Sequence, residues 1–226
     1  TDITNRFSLA TGDKIIQVSL GRDHSAALTS SGRLFTWGRN VNGQLGNGTT
    51  SNRYTPTEIT SQFSLATGDK IIQVSLGGSH SAALTSSGRL FTWGYNVAGQ
   101  LGDGTHTARY TPTEITNRFS LATGDEIIQV SLGEYHSAAL TSSGRLFTWG
   151  SNQNGKLGDG TTTSKSTPTE ISQAHYELLH SDTVIYNQNI TEYMPIREGY
   201  TFSGWYSDFT LTTPYAFGTM PAVDVL

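Results

Sequence analysis

A unit of 56 residues is written three times along most of the chain, at residues 7–62, 63–118 and about 119–174. The first two copies differ at only ten positions. A fixed period of this length is typical of repeat architectures, in which each unit forms one block that cannot bury its apolar face alone. The chain is therefore expected to fold as stacked copies of one block.

Each unit contains short segments with the patterning of β-strands. Residues 15–20 alternate in polarity and are rich in β-branched side chains, and residues 24–29 and 33–37 flank a Ser-Gly turn that favours a hairpin. Residues 55–59 predict an outer strand, where a proline removes no ladder hydrogen bond. The alternation of the first strand predicts one shared face for three apolar side chains: Ile16, Val18 and Leu20. Four antiparallel strands per unit predict a propeller blade.

The motif shared by the copies reads V-x-x-G-x-x-H-x-x-A-L-T-x-x-G-x-L-F-x-W-G-x-N-x-x-G-Q-L-G-x-G, with Lys156 replacing the glutamine in the third copy. It resembles the repeat of the regulator of chromosome condensation family over roughly residues 1–172. The resemblance implies a β-propeller, usually of about seven blades, in which each sequence repeat spans parts of two blades. Three repeats are too few to close such a ring. The expected fold is therefore all-β, an arc of an incomplete β-propeller with four-stranded antiparallel blades.

The period stops after residue 172, and the remaining segment has another composition. It contains R-E-G-Y-T-F-S-G-W-Y-S-D at residues 197–208 and L-T-T-P-Y at residues 211–215. These motifs resemble the Listeria–Bacteroides repeat, the internalin-type B repeat of bacterial surface proteins. That resemblance implies a small, partial β-grasp-like module. The expected domains are propeller repeats at 1–172 and this module at 173–226.

The composition excludes several classes of partner and chemistry. Charged residues make up 14% of the chain and the net charge is −4, so no basic footprint for nucleic acid is present. The chain has no cysteine, which excludes disulfides and thiolate chemistry. It also has no apolar run of membrane-spanning length. The expected partner is a protein or a cell-surface ligand, without nucleic acid and without membrane insertion in this segment.

One histidine recurs per unit, at His24, His80 and His136. Each begins a strand after a glycine turn and lacks a second ligand at short spacing, which favours a structural bond to a nearby carbonyl over a metal site. No nucleophile–base pair recurs. We therefore expect no metal, no cofactor, no catalytic residue and no enzymatic activity. The recurrent tryptophans, Trp37, Trp93 and Trp149, are expected to pack between blades.

The positions at which the copies differ lie outside the three inner strands. In an up-and-down blade, the loops after the first and third strands emerge at one end, and these loops vary, whereas the T-S-S-G-R turn at the other end does not. A rigid scaffold with one diversified loop face is typical of binding surfaces, although unconstrained drift is the alternative. The predicted ligand-binding residues are Arg22, Asp23, Arg39, Arg53, Ser79, Tyr95, Arg109, Glu134, Tyr135 and Ser151.

These observations lead to one functional hypothesis and one alternative. The hypothesis is a non-catalytic binding or adhesion scaffold of a bacterial exported or cell-surface protein, located outside the cell. It would recognise a protein or surface ligand through the variable loops. The alternative, implied by the resemblance to the regulator of chromosome condensation family, is a guanine-nucleotide exchange or regulatory factor for a small GTPase.

Overall fold

The computed structural model describes residues 2–171. Within that range three four-stranded antiparallel sheets form three blades, which confirms the all-β propeller expectation. The strands of the first blade are β1 (Ile15–Leu20), β2 (His24–Thr29), β3 (Leu34–Gly38) and β4 (Arg53–Glu58). Those of the second are β5 (Ile71–Leu76), β6 (His80–Thr85), β7 (Leu90–Gly94) and β8 (Arg109–Glu114). Those of the third are β9 (Ile127–Leu132), β10 (His136–Thr141), β11 (Leu146–Gly150) and β12 (Lys165–Glu170).

The strands of each blade pair in chain order, so every blade is an up-and-down sheet. Within residues 2–171, four short 3-10 turns lie outside the strands, at Thr4–Arg6, Thr60–Gln62, Thr116–Arg118 and Gln153–Gly155. The predicted module at 173–226 lies outside the described residues. Its presence and the boundary at residue 172 therefore stay predictions.

The predicted shared face of the first strand is wrong at its first position. A register shift between Ile15 and Gln17 bulges the strand, and the same shift recurs in the other blades. In the second blade the side chain of Ile71 is therefore buried, together with Val74, while Ile72 is exposed. A bulge sets two residues against one on the partner strand, which breaks the alternation that the sequence pattern assumes.

The apolar core lies between consecutive blades. Leu28, Leu34 and Ile59 of the first unit are fully buried against Val74 and Trp93 of the second. The equivalent side chains form a second cluster between the second and third blades. One blade thus leaves an apolar face open until the next blade covers it, as in other stacked-repeat folds.

The recurrent tryptophan packs at this interface, as predicted. The Phe63 ring lies edge-on to Trp93, with the ring centroids 5.6 Å apart. The indole N–H of Trp93 donates to the backbone carbonyl of Gln44 in the preceding unit at 2.9 Å. Trp149 repeats both contacts and is also fully buried. Trp37 is only partly buried, because within residues 2–171 no blade precedes the first one.

A glutamine on the innermost strand ties each blade to the next. The Gln17 amide donates to the Val74 carbonyl at 2.9 Å and accepts from the Val74 N–H at 3.0 Å. Gln73 makes the same two bonds with Val130. Neighbouring inner strands do not pair with each other, so these side chains satisfy backbone groups that a ladder would otherwise satisfy.

The recurrent histidine also spans the interface. In the first unit, His24 Nε2 lies 2.9 Å from the Ser81 hydroxyl of the next blade. That hydroxyl donates to the Gln44 carbonyl at 2.8 Å. Because the serine proton is used in that bond, Nε2 must be the donor and Nδ1 carries the lone pair. The predicted bond to a nearby carbonyl is therefore wrong, since the partner is a serine of the next blade.

Burial keeps these histidines neutral. Loss of hydration lowers the pKa of His24 to about 4 and that of His80 to about 3. Nδ1 of both rings has no partner among the described residues, so protonation there would place a charge without an acceptor. The His24 ring also explains why residue 21 is a glycine. A Cβ at Gly21 would overlap this ring and lie 2.6 Å from the Gly77 carbonyl.

We predict that replacing Gln73 by alanine destabilises the chain. The substitution leaves the Val130 N–H and carbonyl without partners, so the free energy of unfolding is expected to fall by about 1–3 kcal/mol. Chemical denaturation of the full chain measures the loss. Replacing the exposed Gln62 by alanine is the control, with an expected change below about 0.5 kcal/mol. Equal losses in the two variants would contradict the role given to Gln73.

We also predict that acid destabilises the fold through His80. Its folded pKa of about 3 lies below its ordinary value, so the unfolded chain takes up the proton first. Neutral His80 makes its full contribution to the free energy of unfolding above about pH 6.5. That contribution is lost as the pH falls toward the folded pKa, at about 1.4 kcal/mol per pH unit.

Denaturation between neutral pH and about pH 5.5 tests this, because few carboxylates of ordinary pKa take up a proton in that window. His80→Gln keeps a side-chain donor but cannot titrate, so its stability is expected to fall less steeply with pH. The exposed His106→Gln variant serves as the control and should keep the wild-type slope. An unchanged slope in His80→Gln would refute the prediction.

Candidate functional site

Most of the predicted site residues lie at one end of the blades, in two adjoining loops per blade. In the first blade, Arg22 and Asp23 connect β1 to β2, and Arg39 begins the connection from β3 to β4. The Arg39 N–H donates to the Asp23 carbonyl at 2.9 Å, which holds the two loops together. The equivalent bonds run from Tyr95 to Ser79 and from Ser151 to Tyr135. With Glu134 beside Tyr135, these loops form three adjacent clusters, here called the loop face.

A shallow concavity of about 450 Å³ on the inner side of the blades borders the loop face at Arg22 and Glu134. Its walls are the leucine–glycine pairs that end the inner strands, Leu20–Gly21, Leu76–Gly77 and Leu132–Gly133. Arg22 and Glu134 line it from the first and third blades, with Nη1 and Oε1 3.7 Å apart. The structure thus brings Arg22 and Glu134, from distant parts of the chain, to one opening between the leucine-bearing ends of the inner strands.

The charges of the rim are mixed and weakly held. Arg22 lies 3.8 Å from the Asp23 carboxylate and Arg39 lies 4.0 Å from it, and all three side chains are more than two-fifths exposed. Exposed pairs of this kind contribute at most about 1 kcal/mol, so they exchange readily for the charges of a partner. Tyr135 is also exposed, and Tyr95 is partly so. Arginine and tyrosine are the side chains that most often anchor protein interfaces.

Arg53 and Arg109 lie at the same end of the blades as the loop face, but on the outer strands. They begin the outer strands β4 and β8, where they pair in register with Gly38 and Gly94. Arg109 Nε donates to the Asp103 carboxylate at 2.7 Å. Burial alone would raise the pKa of Asp103, but the hydrogen bonds from Thr105 and Arg109 outweigh it and lower that pKa. Arg109 therefore stabilises a loop of the scaffold.

One buried residue that sequence reasoning missed organises the connection from β3 to β4. The Asn40 amide donates to the Asn47 side chain at 3.1 Å and to the Thr49 carbonyl at 2.8 Å, and its oxygen accepts from the Leu45 N–H at 2.9 Å. Asn96 and Asn152 repeat this pattern. The signal in the sequence was an asparagine that is identical in all three copies although neighbouring loop positions vary. The same repeat position is Asn47 in the first unit and Asp103 in the second, and either side chain accepts the bond from the buried asparagine.

The invariant turn at the opposite end of the blades has a structural cause. The Asp13 carboxylate accepts from the Ser30 hydroxyl at 2.9 Å and from the Ser31 N–H and hydroxyl at 3.0 and 2.8 Å. Desolvation acts to raise the pKa of Asp13, but these bonds lower it to about 2. Arg33 holds Glu58 in a two-point ion pair, with bonds of 3.1 and 2.6 Å. Invariance here reflects a hydrogen-bond network, so the contrast with the variable loops does not by itself identify a binding surface.

Two structural features are absent from residues 2–171. Within residues 2–171, His, Asp and Glu side chains do not gather in groups of three that would hold a metal ion. In the same range no helix has the length and apolarity needed to cross a membrane. The loop face is the candidate site because its exposed arginine and tyrosine side chains suit contact with the surface of another molecule.

Curated relatives resemble about three quarters of this chain. The human "Probable E3 ubiquitin-protein ligase HERC4" is 37% identical over 168 residues, which is 74% of this chain and 15% of the ligase. The "Ultraviolet-B receptor UVR8" of Arabidopsis thaliana is 36% identical over 159 residues, 70% of this chain and 34% of the receptor. The chain thus spans a minor part of the relatives it matches.

Solved structures share the fold. Prp20p of Saccharomyces cerevisiae superimposes with a TM-score of 0.59 at 23% identity, over 71% of this chain and 39% of Prp20p. At this identity the likeness shows the fold alone.

These relatives correct three expectations drawn from the sequence. They come from Homo sapiens and Arabidopsis thaliana and are named as a ubiquitin ligase and a light receptor. The hypothesis of a bacterial exported adhesion scaffold is therefore wrong, and so is its bacterial extracellular location. The expectation of a non-enzyme is also wrong for this group of proteins, because the human relative is named as a ligase.

A family model for the "Regulator of chromosome condensation (RCC1) repeat" matches residues 31–84, 87–140 and 143–176. Each of the first two matches begins after β2 or β6 and ends in the next blade, so one sequence repeat spans two blades as the resemblance implied. A second model of the same repeat matches residues 15–44, 71–100 and 127–156. The matches cover more than half of the chain and agree with its three blades, so the chain belongs to the regulator of chromosome condensation (RCC1) repeat family.

Proposed function

We propose that this repeat array is a protein-recognition segment of a regulatory protein and that the partner binds at the loop face. The observation that carries the proposal is the difference between the two ends of the blades. At one end, Asp13, Ser31 and Arg33 and their equivalents are held in fixed bonds. At the other, the side chains of Arg22, Arg39 and Tyr135 are exposed, and the two arginines are held only by weak pairs with Asp23.

Rigidity of the underlying scaffold supports this proposal. Each pair of adjoining loops is joined by a backbone hydrogen bond and begins or ends in a strand, so its side chains are presented with little backbone freedom. A preorganised surface loses less conformational entropy on binding. Leucine side chains beside exposed charges of both signs also match the mixture of apolar and polar groups that is usual in a protein interface.

The solved structures of similar fold favour a protein as the partner. One describes the binding properties of Prp20p to Gsp1p and histones, and another describes Kap60 bound to yeast RCC1. These statements concern those proteins, and protein binding is carried over here as a proposal. In a ligase such as the human relative, an array of this kind would supply a surface that recognises a protein.

The second candidate is a guanine-nucleotide exchange or regulatory factor for a small GTPase. The shared fold with Prp20p is the observation that favours it. In this candidate the loop face would contact the GTPase, and the mixed charges of Arg22, Asp23 and Glu134 would set its orientation. This candidate is a narrower form of the first proposal. It can be wrong while protein binding at the loop face is right.

We predict that the triple variant Arg22→Ala, Tyr95→Ala, Tyr135→Ala weakens partner binding at least about tenfold, because truncating interface anchors costs more than 1 kcal/mol each. A partner captured with the full chain is purified, and its affinity is measured by calorimetry. The matched control alters three exposed residues at the opposite end, Lys14→Ala, Lys70→Ala and Glu126→Ala, and should bind as the wild type does. Equal affinity for both variants would refute the loop face as the binding surface.

We predict for the second candidate that the full chain accelerates release of a fluorescent GDP analogue from a small GTPase and that the loop-face triple variant does not. Stopped-flow fluorescence with a panel of purified GTPases measures the rate. The opposite-end variant should retain the wild-type rate. A chain that binds its partner through the loop face but accelerates no GTPase would refute exchange activity and leave the first proposal standing.

A further inference from the structure

One position in the connection between the third and fourth strands of a blade distinguishes the first unit from the other two. The residue there is Asn47 in the first unit, Asp103 in the second and Asp159 in the third. In all three, Oδ1 accepts hydrogen bonds from the buried asparagine of the loop and from the N–H and hydroxyl of the next threonine. The side chains differ in their second terminal atom, which is a carboxylate oxygen in two units and an amide nitrogen in the first.

The three bonds at Oδ1 fix the orientation of the Asn47 amide. All three partners are donors, and in an amide group only the oxygen accepts hydrogen bonds. The NH₂ group therefore takes the place that the second carboxylate oxygen has in the other units. Nδ2 of Asn47 is buried and has no hydrogen-bond partner among the described residues. Because a buried donor without an acceptor costs free energy, this group favours an acceptor supplied by another molecule.

In the second and third units, a basic side chain holds the second carboxylate oxygen. Arg109 Nε donates to Asp103 Oδ2 at 2.7 Å. Lys165 Nζ lies 3.5 Å from Asp159 Oδ2. Both basic residues begin the outer strand of their blade, so the repeat places a cation beside this oxygen each time.

Arg53 has the same place in the first unit, where the acid is missing. It begins β4 and pairs in register with Gly38, as Arg109 pairs with Gly94. Within residues 2–171, Arg53 forms no ion pair and is exposed, whereas Arg109 is partly buried against Asp103. Arg109 takes its acid from the loop of its own unit although another blade precedes it. The difference therefore follows from the residue at position 47 and not from the place of the blade in the array.

We propose that Asn47 and Arg53 form a binding site for an oxyanion, a carboxylate or a phosphate group, carried by a protein partner. One oxygen between the two side chains would accept from the Asn47 amide and from the Arg53 guanidinium. It would supply the negative charge that the other two units carry on their own aspartates. Two charge-assisted hydrogen bonds correspond to a Kd on the order of 1 mM for a small anion.

The proposed anion site adjoins the loop face. Arg53 pairs with Gly38, and the next residue along the chain is Arg39 of the loop face. A partner seated on the loop face would therefore reach Arg53 with an anionic side chain. The protein source of the oxyanion rests on the proposed function, but the affinity for a small anion does not. Titration with a small anion thus tests the site separately from the loop-face variant, which leaves Asn47 and Arg53 unchanged.

Titration of the full chain with inorganic phosphate and, in parallel, with acetate tests the site at constant ionic strength. The side-chain N–H signals of Asn47 and Arg53 are followed by NMR spectroscopy, and a saturable shift of both is expected. Arg109, which already holds Asp103, is the internal control and should not shift. A response to phosphate alone identifies a phosphate group, and a response to acetate identifies a carboxylate. No saturable response to either anion, or an equal response at Arg109, would overturn the proposal.

Two exchanges between asparagine and aspartate make the test reciprocal. Asn47→Asp gives Arg53 a carboxylate within its own unit, so anion binding there is expected to weaken at least about tenfold. Asp103→Asn removes the carboxylate beside Arg109 and is expected to create a second site of similar affinity. Each substitution introduces the residue that another unit has at this position, so both chains should fold, which circular dichroism checks. Unchanged binding at Arg53 in the first variant, or no binding at Arg109 in the second, would contradict the proposed site.

Discussion

Contact between consecutive blades is the constraint on which the structure depends. The hydrogen-bond ladder of each sheet is complete within one unit, but its apolar face is buried only by the next unit. Val74 is buried and Val18 is not, although both occupy the same position of the same strand sequence. Stability in such a fold grows with the number of interfaces as much as with the number of blades.

The interface also accounts for most of the repeated polar residues. His24 bonds to Ser81, Gln17 binds the backbone of Val74, and the Gln44 carbonyl accepts from Trp93. Residue types that suggest catalysis or metal binding are thus used to join blades. The loop face differs because its exposed side chains are paired weakly, which leaves them available to another protein.

The sequence led to a wrong prediction of where the protein acts, namely at a bacterial cell surface. The long repeated motif gave the family and the fold because three copies constrain each other, and residues 31–176 match the family model. The bacterial surface setting rested on short motifs in residues 173–226, which carry no such internal check. In this proposal the partner is selected by a few loop side chains such as Arg22 and Tyr135. Their spacing in the sequence forms no motif that identifies a partner.

The sequence alone determined the strands, their antiparallel order and the packing role of tryptophan, because these follow from local periodicity and turn chemistry. Only the tertiary structure decided that Gln17 substitutes for a strand pair and that His24 bonds across to Ser81, since each contact joins residues 57 apart. It also decided that a bulge turns Ile72 outward and that Arg22 meets Glu134 at one opening. A period of 56 residues predicts that blades stack, but the angle and register of that stacking set which side chains meet.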